Sequence, residues 1–114
     1  QRGVETMKKV AIFVRVSEHS NANEMLKRQC EDVSNYCKTK GYSVCDTISL
    51  IGDRKTGNFL LKTMLDTAKS NGIETVIMKS TNRIVGTREE LSETEIAFEK
   101  SGVSLETMDM GVII

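Results

Sequence analysis

Apolar and polar positions along this chain follow two spacings in turn, one typical of strands and one typical of helices. Short apolar runs predict strands at residues 9–17, 42–50, 73–78 and 103–108. Between them, apolar residues three and four apart predict helices at about 21–40, 58–70 and 87–101. This alternation is typical of an α/β fold, here three layers with a mostly parallel sheet covered by helices on both faces.

Residues with known preferences for helix ends support these boundaries. Asn21 or Asn23 suits the cap of the first helix, and Gly41 suits its end. Thr87 followed by Glu90 fits a capping box that opens the third helix. The polar stretch 51–57 is predicted to be a loop, so polar segments follow each of the first three strands.

The length of 114 residues fits one domain with a core of its own. We assign residues 8–114 to that domain and residues 1–7 to a tag remnant or N-terminal extension. The sequence ends on an apolar stretch, 111–114, which predicts a C-terminally truncated fragment. Apolar runs are short and bounded by charges, so we expect no membrane span, no signal peptide and a cytoplasmic location.

Charge is balanced overall but unevenly distributed, with 16 basic and 16 acidic residues. Residues 51–88 carry seven basic and three acidic side chains, whereas residues 89–114 carry one basic and seven acidic ones. The acidic stretch is typical of a solvated helix face, and the basic stretch could face a phosphate. A net charge of zero argues against tight DNA binding by this domain alone.

The first predicted strand ends in two polar residues, Arg15 and Ser17. Their side chains should share a face, because residues two apart on a strand point the same way. In open α/β sheets, ligands bind at the carboxyl ends of the strands. A serine hydroxyl beside a guanidinium suits attack on a phosphate, since arginine neutralises the oxygens while serine attacks. The simpler interpretation is that Ser17 only caps the following helix.

Other chemistries find less support in the sequence. No glycine-rich phosphate loop follows the first strand, and neither the carboxylates nor the three cysteines have the spacing of a metal site. His19 is the one histidine, so a histidine-dependent triad would require it as the base. We therefore expect no metal and no cofactor.

Several residues at characteristic spacings resemble one family. They comprise a strand-end motif, a glutamine twelve residues after its serine, an aspartate before a small loop that ends in glycine, and a lysine thirteen residues before a polar pair. In this chain they are Phe13-Val-Arg15-Val-Ser17, Gln29, Asp53 to Gly57, Lys69 and Asn82-Arg83. Over residues 8–111 the chain resembles the catalytic domain of serine site-specific recombinases, the resolvase/invertase group.

The resemblance implies a resolvase-like catalytic domain that recombines double-stranded DNA at a specific site. In that family the serine attacks the DNA backbone, forms a 5′-phosphoserine link and releases a 3′-hydroxyl. Four subunits cut, rotate and rejoin the strands without metal or nucleotide. The resemblance further implies a bacterial or phage-encoded protein, dimers and tetramers in the full-length form, and a C-terminal DNA-binding region absent from this fragment. We expect the fragment itself to be a monomer.

Each matched residue takes a role from the resemblance. Ser17 is implied to be the nucleophile, and Arg15 and Arg83 are implied to hold the non-bridging oxygens of the scissile phosphate. The implied roles of the remaining three are support of the phosphate or of proton transfers for Lys69, and ordering of the site for Gln29 and Asp53.

This chain departs from the family pattern at four positions. Phe13 replaces a tyrosine, Asn82 replaces an aspartate, and the family's two further arginines fall on Gly86 and near Asn58. Arg54 or Arg88 are the candidates to replace the missing arginines. Two alternatives therefore stay open: a catalytically impaired recombinase-fold protein that acts in DNA-complex assembly, or an unrelated flavodoxin-like binding module.

Overall fold

The computed structural model describes residues 7–114, so residues 1–6 of the expected N-terminal extension lie outside the described part. Five strands and three α-helices follow one another along it, with one 3₁₀ turn at Thr81–Arg83. The strands are β1 (Lys9–Val16), β2 (Ser43–Ile51), β3 (Thr75–Met78), β4 (Ser104–Thr107) and β5 (Gly111–Val112). The helices are α1 (Ala22–Lys40), α2 (Arg54–Ala68) and α3 (Arg88–Ser101).

The strands form a single sheet in the order β2-β1-β3-β4-β5. The first four are parallel, and β5 pairs antiparallel with β4. The predicted α/β architecture with a mostly parallel sheet is therefore confirmed. The segment 111–114, expected only as an apolar end, instead contributes the short strand β5.

β1 is an interior strand of the sheet and is buried on both faces. Its side chains at Val10, Ile12 and Val14 pack with α1 on one face of the sheet. Those at Ala11 and Phe13 pack with α2 and α3 on the other. This alternation follows from the two-residue period of a strand and confirms the three layers.

The helix ends follow the sequence signals. Gly41 and Gly102 end α1 and α3 in the left-handed conformation, with φ of 77° and 73°. The capping box of Thr87 and Glu90 is present at the start of α3. Asn21 occupies the cap position of α1, although its side chain makes no capping hydrogen bond.

The start of α2 differs from the prediction. α2 begins at Arg54 rather than near residue 58, because Asp53 caps it by accepting the Thr56 backbone N–H at 2.8 Å. The second half of the polar stretch 51–57, which predicted a loop, is thus the first helical turn, where polar residues are favoured. β2 is an edge strand with most side chains exposed. No helix within residues 7–114 is long and apolar enough to cross a membrane.

Candidate active site

The site lies where the chain order of the sheet reverses. β2 flanks β1 on one side and β3 flanks it on the other, so a crevice forms outside the carboxyl ends of β1 and β3. A groove of about 320 Å³ occupies this position. Four of the expected site residues line it, namely Arg15, Ser17, Gln29 and Arg83. The groove is also lined by Val16, His19, Met25, Arg28, Asp32 and Lys79.

Arg15 is held deep in this site, with only 5% of its surface exposed. Its Nε donates to the Arg83 carbonyl oxygen at 2.7 Å, and its Nη1 donates to the Gly52 carbonyl oxygen at 2.5 Å. These two bonds fix the plane of the guanidinium and use two of its five N–H donors. Arg15 is therefore positioned before any anion binds.

Gln29 takes the place of a missing strand beside Arg15. The register pairs Ile12 of β1 with Ile77, and β3 ends one residue later, so the backbone of Arg15 lies beyond the last paired residue of β3. The Gln29 side chain accepts the Arg15 backbone N–H at 3.0 Å and donates to the Arg15 carbonyl oxygen at 3.1 Å. Buried backbone groups require such partners, so Gln29 extends the sheet to the residue that carries the guanidinium.

Cations concentrate around the groove. Burial, followed by the neighbouring guanidiniums of Arg54 and Arg83, lowers the pKa of Arg15 from its ordinary value. Burial also lowers the pKa of Arg83, and its Nε is buried with no hydrogen-bond partner among the described residues. Within residues 7–114 the one ion pair joins Lys79 to Asp32 at 3.4 Å. Clustered cations repel one another, so this arrangement favours a bound anion.

Asp53 and Asn82 lie near these cations in different ways. Asp53 acts on the pKa of Arg15 by its charge, but its side chain caps α2, and the Thr56 hydrogen bonds lower the pKa of the Asp53 carboxyl. Asn82 is exposed; its side-chain oxygen accepts from the Ser80 hydroxyl, and its backbone carbonyl accepts from Arg54 Nε at 2.9 Å. Asp53 thus fixes the start of α2, and with it the position of Arg54.

Gly57 allows α2 to approach the site closely. A Cβ on this residue would lie 3.0 Å from Phe13 Cζ and 3.1 Å from Arg15 Cδ. Both distances are shorter than ordinary van der Waals contacts. The glycine that suggested a loop is thus the helical residue that packs directly on β1.

Lys69 does not join the site, which corrects the expectation from its spacing. It follows the last residue of α2, beside Gly102, and lines a separate depression with Lys8, Gly72 and Glu74. α2 leads from the carboxyl end of β2 to the amino end of β3, and its 15 residues span about 21 Å. Lys69 therefore lies near the amino ends of the strands, whereas Ser17 lies at their carboxyl ends.

Two groove residues on α1 were not foreseen. Arg28 and Asp32 are four residues apart on this helix, and both line the groove beside Ser17. Their helical spacing with Gln29 and Met25 is the signal that could have identified this face. Among the described residues, no group of three or more His, Cys, Asp or Glu side chains could hold a metal ion.

Comparisons with known proteins agree with this geometry. The family model described as the resolvase N-terminal domain matches residues 10–113. The chain belongs to this family. No curated protein matches the sequence significantly.

Solved structures of related proteins have the same fold. The C-terminal catalytic domain of ISC1926 TnpA, an IS607-like serine recombinase, superposes with a TM-score of 0.72 at 26% identity, covering 87% of this chain and 68% of that one. The N-terminal catalytic domain of TP901-1 integrase superposes with a TM-score of 0.71 at 21% identity, covering 91% of this chain and 79% of that one. A resolvase family site-specific recombinase from Streptococcus pneumoniae superposes with a TM-score of 0.72 at 18% identity, covering 91% of this chain and 74% of that one.

Membership of the resolvase family supports a role in site-specific recombination, with DNA binding and oligomerisation as general properties. It also removes the alternative of an unrelated flavodoxin-like module. How the groove acts on DNA depends on the residues that line it.

Proposed function

We propose that this resolvase-family domain cuts and rejoins double-stranded DNA at a specific site, with Ser17 as the nucleophile. The observation that carries the proposal is Arg83, which lines the groove with Ser17 and Arg15 and whose buried Nε has no hydrogen-bond partner within residues 7–114. A buried donor that lacks a hydrogen-bond partner costs free energy, and a phosphate oxygen in the groove would be such a partner.

The proposed step exchanges one phosphate ester for another. The Ser17 oxygen attacks the phosphorus and loses its proton, while the bond from phosphorus to the 3′ oxygen breaks and that oxygen takes up a proton. The products are a 5′-phosphoserine link and a 3′-hydroxyl. Because an ester bond is conserved, the reverse step rejoins the strand with no external energy source. Arg15 and Arg83 stabilise the charge on the non-bridging oxygens.

Arg54 takes over part of the function of the missing arginines in this proposal. A Cβ at Gly86 would lie 3.0 Å from Arg54 Nη1, so the Arg54 guanidinium occupies the space beside that position. It is also close enough to Arg15 to lower the pKa of Arg15. Lys69, at the far edge of the sheet, has no part in the step.

We extend the proposal to the bounds of the domain and to the assembly of the full-length protein. We propose that residues 8–114 form the catalytic domain and that the full-length protein forms dimers and tetramers on its recombination site. The retained alternative is a domain that assembles on DNA without cutting it, which the substitutions at Asn82 and Gly86 favour.

Covalent trapping tests the proposal. The protein is incubated with nicked duplex DNA that carries the junctions of its own element, and DNA–protein adducts are scored before and after protease treatment. Ser20→Ala serves as the matched control, because Ser20 is exposed three residues further on and does not line the groove. We expect adducts from the wild type and Ser20→Ala and none from Ser17→Ala. Specific DNA binding without any adduct would favour the assembly alternative.

A further inference from the structure

His19 is the one histidine of the chain, and it lines the same groove as Ser17. It lies just before α1, in a turn that fixes both its backbone and its ring. The His19 carbonyl oxygen accepts the Ala22 N–H at 3.1 Å. The His19 ring nitrogen Nδ1 accepts the Asn21 backbone N–H at 3.1 Å. The imidazole is therefore anchored through one of its two nitrogens.

The anchored nitrogen determines which tautomer is present. An Nδ1 that accepts a hydrogen bond carries no proton, so the proton of the neutral ring is on Nε2. Protonating Nδ1 would set two donors against each other and break the bond to Asn21. In this arrangement the His19 ring has one N–H group to donate, and Nε2 has no free lone pair with which to accept the Ser17 proton.

The surroundings of this donor are those of an anion site. Five charged residues line the groove together with His19. Arg15 lies at the end of β1, Arg28 and Asp32 lie on α1, and Lys79 and Arg83 lie in the segment after β3. The single carboxylate among these groups, Asp32, is already paired with Lys79. The other charged groups that line the groove with His19 are all cations, and cations favour a bound phosphate.

We propose that the Nε2–H of His19 donates a hydrogen bond to a phosphate oxygen of the DNA strand held in the Ser17 groove. This inference rests on the proposed function and adds a phosphate contact that the family motif does not include. His19 in this assignment is a hydrogen-bond donor rather than a general base.

Two conservative variants separate this contact from a purely structural role. Asn at position 19 keeps an acceptor where Nδ1 lies, whereas Gln keeps an N–H donor near the position of Nε2. If the phosphate contact matters, His19→Asn lowers the rate of adduct formation by about 10- to 100-fold, as expected for a hydrogen bond to a charged group. His19→Gln then retains more activity than His19→Asn. The opposite order, or full activity of His19→Asn, overturns the inference while Ser17-dependent adducts still support the proposed function.

A spectroscopic measurement gives a readout that does not depend on cleavage. Ring ¹⁵N–¹H correlation spectra of the labelled protein, with His19→Gln to assign the signals by difference, report the tautomer directly. We expect a proton on Nε2 without DNA and a shift of the Nε2 signals when the junction duplex is added. A proton on Nδ1, or an Nε2 signal that saturating DNA leaves unchanged, overturns the inference even if no adduct forms.

Discussion

At the scale of single residues, an arginine from α2 takes the space that a side chain at position 86 would occupy. Gly86 does not have a positive φ, so its backbone accepts a side chain without strain. The atom nearest to a Cβ at this position is Arg54 Nη1, at the end of a long side chain. The absence of an arginine at Gly86 is thus matched by the presence of one at Arg54.

This match predicts that Arg54 contributes to catalysis. Arg54→Ala should lower the rate of adduct formation by about 10²–10³-fold, the usual effect of losing one donor to a charged transition state. Lys55→Ala is the control, since Lys55 is exposed on the same helical turn. Combining Arg54→Ala with Gly86→Arg should restore part of the rate. If Arg54→Ala is no slower than Lys55→Ala in single-turnover assays, Arg54 has no such role.

At the scale of elements, one helix side chain completes the sheet. Gln29→Ala would leave the buried N–H and carbonyl of Arg15 without partners, so we expect a loss of about 2 kcal/mol or more in the free energy of unfolding. Gln29→Glu keeps the acceptor for the Arg15 N–H, so its free energy of unfolding should lie between those of the wild type and Gln29→Ala. Lys27→Ala, at an exposed position of α1, is the control in urea denaturation. Equal stability of Gln29→Ala and Lys27→Ala would contradict this role.

Element by element, the sequence was most informative where local chemistry decides the structure. The ends of α1 and α3 followed from Gly41, Gly102 and the Thr87–Glu90 pair, because caps act within a few residues. The start of α2 was missed because a polar turn with Gly57 is also typical of a loop. Only the packing of Gly57 on Phe13 shows why the helix tolerates it.

At the scale of the whole molecule, topology decides which residues meet. The sheet order brings Ser17, after β1, together with Arg83, after β3, a pair that the sequence indicated through its resemblance to a family. Lys69 was assigned to the site from the family spacing alone, although the predicted helix at 58–70 already places it at the helix end away from the carboxyl ends of the strands. β5 was missed because a two-residue strand has too few positions to show a period.

The stability of the whole molecule should also depend on pH at its alkaline end. Burial first, and the Glu106 carboxylate second, raises the pKa of Tyr42 to about 12 and that of Cys37 to about 11. Tyr36, which also donates to Glu106, has its pKa raised for the same reasons. The folded state holds these protons more tightly than the unfolded chain. Stability is therefore complete below about pH 8.5 and falls as the pH rises through about 11 to 12.

Urea denaturation as a function of pH measures this effect. The double variant Tyr36→Phe with Tyr42→Phe cannot ionise at either position, so its stability should fall less steeply above pH 9 than that of the wild type. Parallel alkaline limbs for the two proteins would show that the tyrosines paired with Glu106 do not cause the loss.

At the acid end the sign is reversed. Backbone hydrogen bonds at the starts of α2 and α3 lower the pKa values of Asp53 and Glu90. These carboxylates are harder to protonate in the folded state. Their contribution is present above about pH 4 and is lost as the pH falls below that value. The Glu90→Gln variant should therefore show a shallower acid limb, and an unchanged limb would contradict the assignment.

The most direct test of Ser17 as the nucleophile identifies the residue that carries the DNA. The trapped adduct is digested with nuclease and trypsin, and the modified peptide is fragmented in a mass spectrometer. Trypsin releases residues 16–27, which contain both Ser17 and Ser20, so fragmentation distinguishes a groove residue from its exposed neighbour. We expect a 5′-phosphate on Ser17. A nucleotide on Ser20 or on any other residue would contradict it.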